Sequence, residues 1–376
     1  MNELFFELIQ VAIGLRVCLS HTPRADEWKQ LYEMAKKQSL VGVCFAGVQR
    51  TLSSSPIKGV DSSVIGMPEM LYLTWMGMAA KIQQRNEVVN RQCVEVQRMI
   101  EKAGFRNFIM KGQGNAALYN EDLKSLRQSG DIDIYVEGGF DRVMQYVNSV
   151  THCHDFTFQH VHFPVLNDTE VEVHYSPIAL MGWMRNRRLQ NWFDSKYDDC
   201  FRNRLKLGNS GFEICAPTTE FNLVYQMAHI YRHVFVEGIG LRQLMDYYFL
   251  LKSQEEAYTL VSSLLKDFGM LRFAKGLMWV IEYVFVGSNQ TELSSKVGIE
   301  PDEKEGRFLL NEIMETGNFS HGKGQSISTF KPLQLVQIMG AKLHLLGHYP
   351  SEVISTPFYL IRHFVWKHLL KRKWLH

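Results

Sequence analysis

Apolar residues recur along this chain with two different periods, and the change from one to the other divides it. In the first hundred positions the spacing is helical: Ile82, Val89, Cys93, Val96 and Ile100 fall on one face of a segment rich in Gln, Arg and Glu, and Gly104 supplies its stop. From Phe105 the period shortens. Asn107–Met110 suits a buried strand, Gly112–Tyr119 a short helix after a tight turn, and Asp131–Val136 a second strand. Gly138-Gly139 turns the chain into a helix over Phe140–Val150. Phe156–Val165 and Glu170–Tyr175 then form a predicted hairpin through Asn167-Asp168. After Pro177 the helical period returns, interrupted by a short strand at Phe212–Cys215. Thr218 or Thr219 caps a helix over Glu220–His233, and another covers Leu241–Leu251. The Ser-, Gly- and Pro-rich stretch at 53–67 is the clearest internal break. The expected fold class is α+β: a small mixed sheet at 105–180 between helical regions at 1–104 and 181–376.

Polar residues inside the two strands carry the chemistry. In Ser129-Gly130-Asp131-Ile132-Asp133-Ile134-Tyr135-Val136, Asp131 and Asp133 fall on one face and Ile132, Ile134 and Val136 on the other. Val171-Glu172-Val173-His174 repeats the arrangement, with Glu172 and His174 sharing a face. If the strands are neighbours, three carboxylates converge. Two such charges about 5 Å apart repel by roughly 3 kcal/mol at an effective dielectric near 20, so a divalent cation or a bound proton is needed to offset them. Oxygen ligands with room for water suit Mg²⁺, with Mn²⁺ as substitute, and that ion suits phosphoryl chemistry. The plain alternative is a strand end bearing solvated acids.

Composition narrows the setting. A net charge of +2 over 376 residues gives no global attraction to nucleic acid or an anionic membrane, so no stable nucleic-acid partner is implied. The six cysteines are scattered without a CxxC pair, as in a protein with reduced thiols. Glu3 and Glu7 near the start do not suit a signal peptide, and no run of about 18 uncharged apolar residues occurs. The expectation is a soluble, cytoplasmic protein.

The order Met110-Lys111-Gly112, Arg127-x-Ser129-Gly130-Asp131-x-Asp133, then Val171-Glu172-Val173-His174 resembles the nucleotidyltransferase superfamily related to DNA polymerase beta. It is most similar to an incompletely characterised bacterial branch. His229, Arg232-His233, Gly238-Ile239-Gly240-Leu241-Arg242 and Asp246 resemble the helical half of that branch, and the likeness covers roughly residues 105–250. Where the superfamily begins its site with Gly-Gly or Gly-Ser, this chain has Lys111-Gly112-Gln113-Gly114. The resemblance implies Asp131, Asp133 and Glu172 as catalytic metal ligands. Asp131 and Asp133 would share two ions, and Glu172 would ligate the catalytic one or receive the acceptor's proton, with Glu170 a weaker competitor.

Around these acids, Lys111 and Gly112 are candidates for a nucleotide phosphate, with an ordinary turn and surface lysine as the alternative. Arg127 and Ser129 lie close enough in sequence to join them. His174 would orient Glu172 or touch substrate. His229, Arg232 and His233, at i, i+3 and i+4, share a helical face suited to triphosphate or acceptor. Arg242 and Asp246, four apart, suggest a surface ion pair. His152, Cys153, His154, His160 and His162 lack a compact four-ligand spacing for zinc, so exposed strand or loop histidines are the plainer reading, although His160 and His162 share a strand face. The basic, aromatic segment Phe358–Leu375 reads as a packed helix with a solvated charged face.

The expected activity is Mg²⁺-dependent transfer of a nucleoside monophosphate from an NTP to an acceptor hydroxyl, that of a small molecule, a sugar, a protein or an RNA end. One rival is a degenerate nucleotide-binding or interaction module. Another, a glycosyltransferase with a DxD motif, would need alternating strands and helices ahead of that motif, where this chain reads as helical.

Overall fold

The computed structural model describes all residues except 54–64, 209–210, 237, 288–291, 318–339, 341–342 and 375–376. The predicted break at 53–67 therefore lies mostly outside the described residues. Helices α1 (Asn2–Ala12), α2 (Ala25–Lys37) and α3 (Val41–Ser53) lead into α4 (Glu69–Lys102). This long helix buries Val89, Cys93, Val96 and Ile100, the face that the apolar spacing marked.

Strands β1 (Asn107–Ile109), β2 (Ile132–Val136), β3 (His160–His162) and β4 (Val171–His174) form a mixed sheet in the order β1-β2-β4-β3. β1 is antiparallel to β2, β2 is parallel to β4, and β3 is antiparallel to β4. Helix α5 (Gln113–Ala116) follows β1, and α6 (Gly139–Val150) follows β2. The alternation explains the pairing. Ile132, Ile134, Val136, Val171 and Val173 point to one side, where they meet Val143, Met144 and Val147 of α6 and the second half of α4. Full burial of each such aliphatic contributes about 1.5–3 kcal/mol, so a one-residue slip, which would turn them all outward, is strongly disfavoured.

Beyond β4 come α7 (Trp183–Asp194), α8 (Tyr197–Arg202) and a two-stranded ribbon of β5 (Arg204–Leu207) with β6 (Phe212–Cys215). The sequence signalled β6 but not β5, whose Arg204 and Lys206 are exposed and leave no apolar run to read. Next are α9 (Thr219–Val236), α10 (Leu241–Lys252), α11 (Leu260–Asp267), α12 (Leu271–Ile281), α13 (Glu292–Lys296) and α14 (Glu303–Thr316). Their apolar faces join α1–α3 in one continuous core. The α+β expectation is met: a small mixed sheet flanked by helices.

The last helix, α15 (Pro350–Val365), differs from expectation. Its outward face is apolar, with Ile354, Phe358 and Ile361 exposed. The cations beyond it fold back instead: Lys371 pairs with Asp141 at 2.8 Å and Lys367 with Asp155 at 3.8 Å, so charge is spent on the sheet domain rather than on solvent. No helix among the described residues is long and apolar enough to cross a membrane.

Candidate active site

The parallel pairing of β2 and β4 sets Asp133 directly opposite Glu172, with Asp131 two residues back on the same face. Further along, that face changes character. Tyr135 stacks on Tyr197 at 4.3 Å and on Phe108 at 5.1 Å, which closes the sheet with aromatic rings and leaves the acids at the open end. Asp133 is fully buried at its carboxylate, Glu172 mostly so, and Asp131 is 37% exposed. The three acids therefore run from sealed to open.

Two cations of the chain lie among them. Lys111 Nζ is 3.0 Å from Asp133 Oδ2 and 3.8 Å from Asp131 Oδ2. His174 Nε2 is 3.0 Å from Asp133 Oδ1 and 3.3 Å from Glu172 Oε2. Burial works against the lysine's charge, but Asp131 and Asp133 outweigh it and hold Lys111 well above the usual lysine range. Burial likewise opposes charging His174, yet its hydrogen bonds to Asp133 and Glu172 raise it to about 9. Glu172 is pulled the other way: burial would raise it, but the bond to His174 and the charges of His174 and Lys111 hold it below the usual glutamate range. Asp133, Glu172 and His174 each offer a donor atom within 4.8 Å of the others, a spacing from which a metal ion could be held.

The turn that carries Lys111 is built for its place. Gly112 adopts φ 63°, a backbone conformation that side chains rarely tolerate. Asn115 of α5 then ties the turn down, accepting from Gln226 of α9 at 2.9 Å and donating to Asp246 of α10 at 3.3 Å. Gln113 donates to Asn86 of α4 at 3.3 Å. A lysine held from three helices keeps its position without the entropy of a free side chain.

The other expected residues divide. Arg127 lines one small cavity with Lys111 and Asp131. It makes a buried two-pronged ion pair with Asp246, Nε to Oδ1 and Nη2 to Oδ2 each 2.7 Å, and Tyr119 donates to the same carboxylate at 2.7 Å. This overturns the expected surface pair of Arg242 with Asp246. Arg242 instead donates to the Gln128 carbonyl at 2.9 Å. Ser129 Oγ is buried just ahead of β2, with no hydrogen-bond partner among the described residues. His229 lines a narrow cavity of about 40 Å³ together with Lys111, Gly112, Asp131, Tyr225 and Arg242. That volume admits a few waters. Arg232 is turned away and donates to the Ala179 carbonyl at 2.8 Å and to Tyr359 at 3.1 Å. Tyr225 and Arg242 were missed as neighbours of the lysine. Only the packing of α9 and α10 over the turn brings them there.

The family of proteins described as uncharacterised nucleotidyltransferases matches this chain over residues 24–285, a span holding the whole sheet, the acids and α9–α12. The chain belongs to this family. No curated protein and no solved structure matches it.

Proposed function

We propose that this nucleotidyltransferase-family chain transfers a nucleoside monophosphate from an NTP to an acceptor hydroxyl, with Asp131, Asp133 and Glu172 holding divalent cations. The observation that carries the reading is the register of β2 against β4, which sets Asp133 beside Glu172 with Asp131 on the same face. The donor set fits the group: three carboxylates against Lys111 and His174 leave one negative charge uncompensated, and Asp131 lies partly open to solvent. Mg²⁺ or Mn²⁺ bound there would supply Lewis-acid neutralisation of phosphate charge and acidify the acceptor hydroxyl.

The chain's own groups do the rest. Lys111, already charged beside Asp131 and Asp133, would meet the nucleotide's phosphates from the turn that carries it. His174 holds Glu172 and Asp133 in one orientation. Because Glu172 is held below the usual glutamate range, it is a poor base and a good ligand, which favours the ligand role over proton acceptance. The triphosphate approaches from the side on which Asp131 lies partly open to solvent. Catalysis then comes from in-line placement and charge neutralisation.

A second reading is nucleotide binding without transfer. One observation favours it: both oxygens of Asp133 face cations of the chain itself. Incubating the protein with each α-labelled NTP, Mg²⁺ and cell extract separates the two. Covalent label on an acceptor, lost in Asp131→Asn, supports transfer. Retention of label only as intact NTP supports binding alone.

A further inference from the structure

The edge strand β3 carries two histidines on the same face as the acids. Antiparallel pairing with β4 sets His162 opposite Glu172 and His160 opposite His174. His160 Nδ1 lies 3.4 Å from Glu172 Oε2. The donor atoms of His160, His162 and Glu172 all fall within 4.8 Å of one another, and all three residues are half-buried. Ligands about 2.0–2.1 Å from a tetrahedral ion stand roughly 3.3 Å apart, close to the 3.4 Å between His160 Nδ1 and Glu172 Oε2.

We propose that His160, His162 and Glu172 form a site for a divalent transition-metal ion of the zinc class. It borrows Glu172 from the acid cluster but is chemically distinct from it. Two imidazoles and one carboxylate suit Zn²⁺ or Co²⁺, whereas Mg²⁺ takes oxygen ligands and discriminates against imidazole. A second observation agrees. Glu170 Oε1 lies 2.7 Å from Nδ1 of His162, the kind of outer carboxylate that fixes the ring and tautomer of a metal-binding histidine. Asp155, which is exposed, lies 3.6 Å from His162 Nε2. Sequence spacing alone gave only two histidines. The missing ligand is Glu172, on the partner strand, supplied by register.

Such an ion would tie the sheet's outer strand to β4 and would share one carboxylate with the acid cluster. Zinc-class and magnesium-class ions would then meet at Glu172. The site requires no nucleotide and no turnover, so it stands or falls separately from the proposed transferase activity.

The test is a titration of the metal-stripped full chain with Co²⁺ alone, followed by visible absorption, with Zn²⁺ and Mg²⁺ as competitors. The expected result is a Co²⁺ equivalent with visible ligand-field bands, displaced by stoichiometric Zn²⁺ and unmoved by a large excess of Mg²⁺. His162→Ala should weaken that equivalent at least tenfold, and His160→Gln, a milder change of shape, should do the same with an unchanged melting temperature. Asp131→Asn should retain it, which separates this site from the nucleotide centre. Co²⁺ affinity and spectrum unaltered in both histidine variants would overturn the proposal. So would displacement of Co²⁺ by Mg²⁺ at comparable concentration, because an all-oxygen site would then hold the ion.

Discussion

On either side of the Gly112 turn the protein takes carboxylates out of water, and it does so in two ways. Asp246 meets one guanidinium in a two-pronged pair, with Tyr119 and Asn115 completing its hydrogen bonds, and both charged side chains are about 95% buried. Each oxygen of that carboxylate accepts from the guanidinium and from one further donor. Asp131, Asp133 and Glu172 instead share Lys111 and His174, so two cations face three carboxylates, and Asp131 stays partly open. On the proposed reading, the shortfall of positive charge at the second cluster is what an incoming cation would make good. Buried pairs of the first kind hold elements in register, and here the pair locks α10 to the segment just ahead of β2. Clusters of the second kind are where chemistry is found.

The largest expected effect tests the closed site. Asp246→Ala strands Arg127 as a buried unpaired cation and should lower stability by about 3–5 kcal/mol, read by urea denaturation. A loss below about 1 kcal/mol, the range of an exposed ion pair, would erase the distinction between the two sites.

Next in size is Lys111→Ala. If the lysine makes a charge-assisted bond to phosphate, its loss should cost about 1.5–3 kcal/mol, or roughly 10- to 150-fold in kcat/KM for the NTP. Mg²⁺ binding should persist, since removing a competing cation leaves the carboxylates freer. Unchanged kinetics would make Lys111 only a counter-charge for the aspartates.

The smallest effect lies outside both clusters. Burial, with Lys367 and Arg232 nearby, holds His363 of α15 down to about 4, among Phe158, Tyr359 and Trp366. Between pH 6.5 and 4 the unfolded chain takes up a proton that the folded chain refuses, so stability falls as pH drops through that window. His363→Gln should show a shallower decline of melting temperature across it. Equal slopes would mean that acid sensitivity arises elsewhere.

Much of this is legible in the amino-acid order, and the failures share a cause. Period-two alternation in Asp131–Val136 and Val171–His174 determines which side chains face the core, because a buried face permits one register. That alternation alone is enough to set Asp131, Asp133, Glu172 and His174 on one side of the sheet. Lys111 is legible as a neighbour of a glycine turn, although not as the ion-pair partner of the aspartates. The i, i+4 rule misleads at Arg242 and Asp246 because it presumes a solvated helix face. Leu241, Leu244, Met245, Tyr247 and Tyr248 are all buried, so α10 is enclosed and its acid pairs across 119 positions with Arg127. Arg232 fails in the same way: its neighbours are set by the packing of α9 against the Ala179 loop, which no local spacing reports.

The central claim is that the undercharged cluster is a metal–nucleotide site, and paired thermal melts test it most directly. The wild type should be stabilised more by Mg²⁺ with NTP together than by the sum of either alone, a ligand at 100 times its dissociation constant adding about 2.7 kcal/mol in all. Asp133→Asn, which keeps the shape of the side chain but removes its charge, should abolish that synergy while leaving a cooperative unfolding transition. Equal shifts in the wild type and in Asp133→Asn would contradict the account.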